Sequence, residues 1–209
     1  MFSLMVFLQN WHAHRVHVAV TLPILTAVTI NRAMKMVYHS LFHSVMCYGI
    51  MFWGNSPHTH IIFKVQKRVL RIIVGAGYRD SCRELFKELK ILTLSSQYIL
   101  SLLLFVIQNR GHFTSNSSVY NFNTRQKNDL HLPQVSLTMY QKGVLYSGIK
   151  VFNALSTTIK SISINPKQFK VTLKIIFYHI PFIVYMNFLV CRMLNYWEVY
   201  YLICSCMIV

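Results

Sequence analysis

Only five side chains in the 209-residue chain carry a carboxylate, Asp80, Glu84, Glu88, Asp129 and Glu198. Carboxylates would be needed for the commonest phosphoryl and glycosyl chemistry. Two-metal phosphoryl transfer requires a cluster of them to hold the ions, and glycoside hydrolysis requires a facing pair. Asp80, Glu84 and Glu88 stand at i, i+4 and i+8, interleaved with Arg83, Lys87 and Lys90. That pattern predicts a solvated, salt-bridged helix face and no metal site.

The other reactive side chains are as scattered. Cys47, Cys82, Cys191, Cys204 and Cys206 are odd in number and contain no Cys-x-x-Cys, so neither a disulfide framework nor a zinc ribbon is expected. His39 and His43 are one helical turn apart without a third ligand type beside them, which makes them amphipathic-helix residues rather than metal ligands. Cys82 lies near Arg79 and Arg83, yet no partner base accompanies it, and an ordinary helix residue is expected. Walker, Gly-x-Ser-x-Gly, His-Glu-x-x-His and dinucleotide-binding patterns are missing. The expectation is a protein that is not an enzyme in itself and holds neither metal nor cofactor.

The cations are ordered where the acids are not. Lys64, Lys67, Arg68 and Arg71 stand at i, i+3, i+4 and i+7, while Val65, Val69, Ile72 and Ile73 occupy complementary positions. One side of this helix is basic and the other apolar. A row of cations suits the phosphate backbone of nucleic acid, bound without sequence preference and with steep salt dependence. The plainer reading is that the four merely solvate a helix face.

The elements that must position these residues are mostly α. A buried helix is expected over 34–49, with Met36, Val37, Leu41, Val45 and Tyr48 as its stripe. Asn55 or Ser56 is placed to cap the basic helix, with its body over 61–73, and Gly75 to end it. Ser81-Cys82-Arg83-Glu84 has the form of a capping box opening a short helix to about residue 90. Residues 96–110 are apolar nearly all round, as a central core helix is. Residues 111–139 lack helical periodicity and predict an extended polar connector held by a few aromatics. A fourth helix over 141–155 uses Leu145, Ile149 and Phe152, and Asn165-Pro166 caps and opens a fifth through Phe169 and Leu173. Phe52, Trp53 and Tyr78 could stack on bases, but core packing is the expected role.

Charge divides the chain into three zones. The net charge is +16 with 54% hydrophobic residues, an unusual pairing. Residues 35–174 hold 18 basic and 4 acidic side chains, whereas residues 175–209 balance Arg192 against Glu198. Residues 175–191 form an uncharged run of 17 which as a helix would reach about 26 Å, near what a bilayer requires. A small basic integral membrane protein, anchored through this tail, is therefore the alternative reading. Pro181 weakens it.

The strings MVYHSLFHSVMCYGIMFWGNS, KVQKRVLRII, YRDSCRELFKELKILTLSSQYI, YNFNTRQKNDLHLP and YQKGVLYSGIKVFNAL follow in an order and spacing that resembles the C-terminal, thumb and post-thumb part of jockey-type non-LTR retrotransposon reverse transcriptases. The resemblance covers residues 33–174. It implies a region that helps hold the RNA/DNA template–primer duplex and packs against a polymerase palm. That palm's Tyr-x-Asp-Asp loop has no counterpart in this sequence. By the same resemblance Tyr48-Gly49, Phe52-Trp53-Gly54, Gln66-Lys67-Arg68 and Asn123-Thr124-Arg125 match the family pattern, which adds Arg125 to the nucleic-acid-binding candidates. Residues 1–32 lack the pattern and remain unassigned. From 175 the chain departs from the polar ending usual in the family, and 175–209 is expected to be a hydrophobic, frameshifted tail. The expectation is a non-catalytic fragment of an RNA-directed DNA polymerase, nuclear or cytoplasmic on this reading and in a membrane under the alternative.

Overall fold

The computed structural model describes residues 32–120 and 125–179, and these are mostly α-helical, without strands. The run at 175–191 falls largely outside them, as do residues 1–31. Among the described residues no helix is long and apolar enough to cross a membrane.

The first helix, α1, spans residues 32–47 and widens to π spacing over Tyr38–His43. Its buried stripe is Tyr38, Phe42 and Met46, continued by Ile50. Met36, Leu41, Val45 and Tyr48 are exposed instead, Tyr48 to 86%. The expected stripe was thus on the wrong side. Both stripes have helical spacing, and the larger aromatic set removes more apolar area from water. A single turn, α2 (Ile50–Trp53), follows. Gly54 closes it where any side chain would collide, since a Cβ would lie 2.3 Å from the Tyr98 ring and 2.6 Å from the Ile50 carbonyl oxygen.

The basic helix is α3 (Thr59–Val74), with α4 (Arg83–Glu88) packed beside it. The expected cap at Asn55 or Ser56 does not form on α3. His58 holds the N-cap position, and the Ser56 hydroxyl accepts from the His58 amide at 3.4 Å. Gly75 ends α3 at φ 77°, and the amides of Gly75 and Ala76 both donate to the Arg71 carbonyl. This is the left-handed stop that glycine tolerates. The same stop recurs at the end of α4 on a lysine. Lys90 has φ 51°, its amide donates to Lys87 O and the Ile91 amide to Phe86 O. The capping box at Ser81 is not made, because Cys82 is the N-cap and the Ser81 hydroxyl reaches only the Arg83 amide.

The core organises around α5 (Leu94–Gln108), as its all-round apolarity requires. Thr93 caps it, its hydroxyl accepting from the Ser96 amide at 3.3 Å. Leu94, Tyr98, Ile99, Leu100, Leu102, Leu103 and Val106 are buried along it. Against α5 lie α2, α3 and two later helices, those over Val144–Asn153 and Pro166–His179. The connector contributes one turn, α6 (Asn116–Val119), and an isolated antiparallel bridge between Ser115 and Leu130. What holds the connector down is not chiefly aromatic. Leu130 is buried, and Asn153 clasps its backbone, accepting from Leu130 N at 2.9 Å and donating to Leu130 O at 2.8 Å. Lys160 adds an ion pair to Asp129 at 2.9 Å.

The expected fourth helix divides into a turn, α7 (Thr138–Gln141), and α8 (Val144–Asn153). Ile149 and Phe152 are buried as expected, but Leu145 is exposed and Ser147 and Gly148 face inward instead. A small side is needed there because α8 packs close on α5, with a Cβ on Gly148 only 2.8 Å from Val106 Cγ2. A short helix absent from the expectation, α9 (Thr157–Ile162), is capped by Ser156 and buries Ile159. Finally α10 (Pro166–His179) starts with Asn165 accepting from the Lys167 and Gln168 amides, as foreseen. It runs past residue 174 and sets Ile176 and Phe177 in the core beside Phe169 and Leu173.

Candidate nucleic-acid interface

The rotation of α3 decides which of its cations meet solvent. Val69, Leu70 and Ile73 are buried, and so is Gln66, a polar residue on the apolar side. Its amide nitrogen donates to the Tyr38 hydroxyl at 3.0 Å and to Leu92 O at 2.9 Å, and its oxygen accepts from the Leu94 amide at 3.0 Å. These bonds tie α3 to α1 and to the start of α5, and they leave the opposite side outward. The buried Tyr38 hydroxyl is pushed well above the usual phenol range by desolvation, with the Gln66 bond a smaller opposing effect.

Lys64 and Arg68, one turn apart, are exposed. Lys67 is half-buried, its ammonium 4.8 Å from the centre of the Phe63 ring. Arg71 serves the fold. Its Nε and Nη2 donate to the Asp80 carbonyl at 3.0 and 2.9 Å, while Asp80 Oδ2 accepts from the Gly77 amide at 2.6 Å. The loop after α3 is folded back by this clamp. The row of four therefore resolves into two outward cations, one lying on an aromatic ring and one holding a loop.

Arg125 is exposed in the turn that leads to the Ser115–Leu130 bridge, where the Asn116 side chain donates to Gln126 O. It belongs to the connector and not to α3. Asn123 and Thr124 lie outside the described residues. Phe52 and Tyr78 are 79% and 85% exposed, so the core role expected of them is wrong. Trp53 is half-buried, its Nε1 donating to Tyr48 O at 2.9 Å.

Of the expected acidic row, Glu84 and Glu88 are exposed on α4. Glu84 pairs with Lys87 at 3.4 Å on the exposed face of α4. Asp80 departs from the expected row because α4 begins only at Arg83, which leaves it in the loop. Among the described residues no group of three or more His, Cys, Asp or Glu could hold a metal ion. Cys82 is buried, and desolvation raises its thiol despite the lowering influence of Arg71 and Lys67. A thiol held protonated is a poor nucleophile.

No family model matches the chain, and neither a curated protein nor a solved structure is similar to it. What the interface can bind follows from its own residues. Charge periodicity missed what two of them do: Gln66 carries no charge, and Asp80 was placed in the acidic row of α4 and not in the loop that it holds. The signal for a buried role at Gln66 was a lone polar residue among the apolar positions of α3.

Proposed function

We propose that residues 33–174 are a non-catalytic, thumb-like unit of a retrotransposon RNA-directed DNA polymerase, and that α3 contacts the phosphate backbone of the template–primer duplex. The observation that carries this reading is the outward pair Lys64 and Arg68, backed by the buried Val69, Leu70 and Ile73, in a unit with 18 cations against 4 acids. The order of the five sequence blocks supports the parent family. Exposed Phe52 and Tyr78 add aromatic faces of the kind that stack on bases. Catalytic carboxylates would come from a palm. The exposed apolar row Met36, Leu41, Val45 and Tyr48 is the kind of surface such a partner covers.

The test is binding of the full chain to a labelled RNA–DNA hybrid over a range of salt. Affinity falls with salt, and Lys64→Ala with Arg68→Ala lowers the slope of log K against log salt by about 2, near 0.9 for each phosphate no longer neutralised. Binding that ignores salt, or none at low salt, would refute the reading.

A further inference from the structure

We propose that α1 and α10 together present a second polyanion-binding strip, formed by Lys35, His39, His43, Lys170 and Lys174, which takes the phosphate backbone of nucleic acid and tightens on acidification. It rests on the reading of this protein as a nucleic-acid binder, but it uses none of the residues of α3.

Burial of Phe169, Leu173, Ile176 and Phe177 fixes one side of α10 in the core. Lys167, Lys170 and Lys174 then stand at i, i+3 and i+7, a row about 10 Å long, with Lys167 and Lys170 exposed. On α1 the inward set Tyr38, Phe42 and Met46 leaves Lys35, His39 and His43 at i, i+4 and i+8. The imidazole centres of His39 and His43 are 5.0 Å apart. Lys174 acts electrostatically on both rings and Lys35 on His39, so the two rows meet at Lys174.

Among the described residues the remaining neighbours carry no negative charge. The Tyr38 ring lies 5.3 Å from that of His39, and its hydroxyl is buried against Gln66. Cys47 Sγ is 3.5 Å from the His43 ring nitrogens, with its thiol pushed up to about 11 by burial. Gln97, a neutral neighbour, acts on His43 in the opposing, raising direction. Desolvation first, and the neighbouring positive groups second, lower both imidazoles below their ordinary range. At neutral pH the strip therefore holds its two imidazoles uncharged beside two ammonium groups. A phosphate lodged among them reverses this balance. It offsets the lysines and accepts from imidazolium N–H groups, which in the charged ring are both donors. Binding then takes up protons, and by linkage protons strengthen binding.

The test is anisotropy of a labelled RNA–DNA hybrid with the full chain at pH 7.5 and pH 5.5, at one ionic strength. The wild type gains about tenfold in affinity at the lower pH, the scale expected for one to two added phosphate contacts. Lys64→Ala with Arg68→Ala binds more weakly yet keeps that gain, whereas His39→Gln with His43→Gln loses it. Histidines elsewhere cancel in the comparison. A wild-type gain retained in the double glutamine variant refutes the strip, as does loss of the gain on removing the α3 cations. Absence of wild-type binding at both pH values defeats the nucleic-acid reading itself. Phosphatidylserine vesicles that displace the hybrid with the same proton dependence would overturn nucleic acid as the occupant. Should the variants fail to fold, imidazole titration by NMR on the wild type decides. Added hybrid raises the midpoints of two histidines under the proposal, and raising none refutes it.

Discussion

Replacing Gln66 with leucine keeps the volume of the side chain and removes every polar atom from the centre of the α1–α3–α5 junction. Three buried partners are then left without a hydrogen bond, the Tyr38 hydroxyl, Leu92 O and Leu94 N. Leaving a buried donor or acceptor unpaired costs about 1–3 kcal/mol. The two backbone groups have no rotamer with which to seek a new partner, and Tyr38 can rotate its hydroxyl hydrogen but not escape burial. Gln66→Leu should therefore destabilise the fold by about 4 kcal/mol, a large share of the roughly 5–15 kcal/mol typical of a domain. Tyr38→Phe removes only one bond and should cost about 1 kcal/mol. Both are measured by urea denaturation of the full chain followed by circular dichroism at about 222 nm, with equal m-values required before the midpoints are compared. A Gln66→Leu protein within about 0.5 kcal/mol of wild type would show that the junction does not depend on this side chain. The account of how α3 turns its cations outward would then fail with it.

Lys90→Gly should stabilise the protein by up to about 1 kcal/mol, because φ 51° suits glycine and strains a residue with a Cβ; an unchanged or lower denaturation midpoint would contradict this. Tyr98→Phe should be neutral or slightly stabilising. The Tyr98 hydroxyl is buried with no partner at bonding distance, although Ser147 lies near enough to act on it electrostatically. A marked drop in melting temperature in that variant would reveal a bond to Ser147. Stability should also fall in acid. His39 and His43 have folded-state values below their unfolded ones, so the unfolded chain binds more protons as pH drops through about 6.5. Above that pH they contribute no slope. The melting temperature at pH 5.5 should lie below that at pH 7.5 by less in His39→Gln with His43→Gln than in wild type, and equal differences would exclude the pair as the source.

Much of this architecture was legible in the chain because local signals need no partner to act. Asn165-Pro166 begins a helix wherever it sits, since the asparagine oxygen reaches amides two and three residues on and proline lacks one to satisfy. Gly75 stops α3 for an equally local reason, the ease of positive φ without a Cβ. The apolar girth of α5 demanded a central place, and the spacing of Lys64, Lys67, Arg68 and Arg71 placed all four along one side of a helix. Tertiary structure decided what periodicity leaves degenerate. Two stripes on α1 had equal spacing, and only packing against the rest of the core selected Tyr38, Phe42 and Met46 over Leu41 and Val45. Gln66 stood among apolar positions with no local partner, and only the fold brought Leu92 and Leu94 beside it from 26 and 28 residues away. Asp80 and Arg71 were likewise assigned to helix faces by their spacing, and the fold of the intervening loop turned one into a turn-holder and the other into a clamp. The meeting of Lys174 with His39 and His43 spans 135 and 131 residues of sequence, and only the docking of helices could bring those charges together.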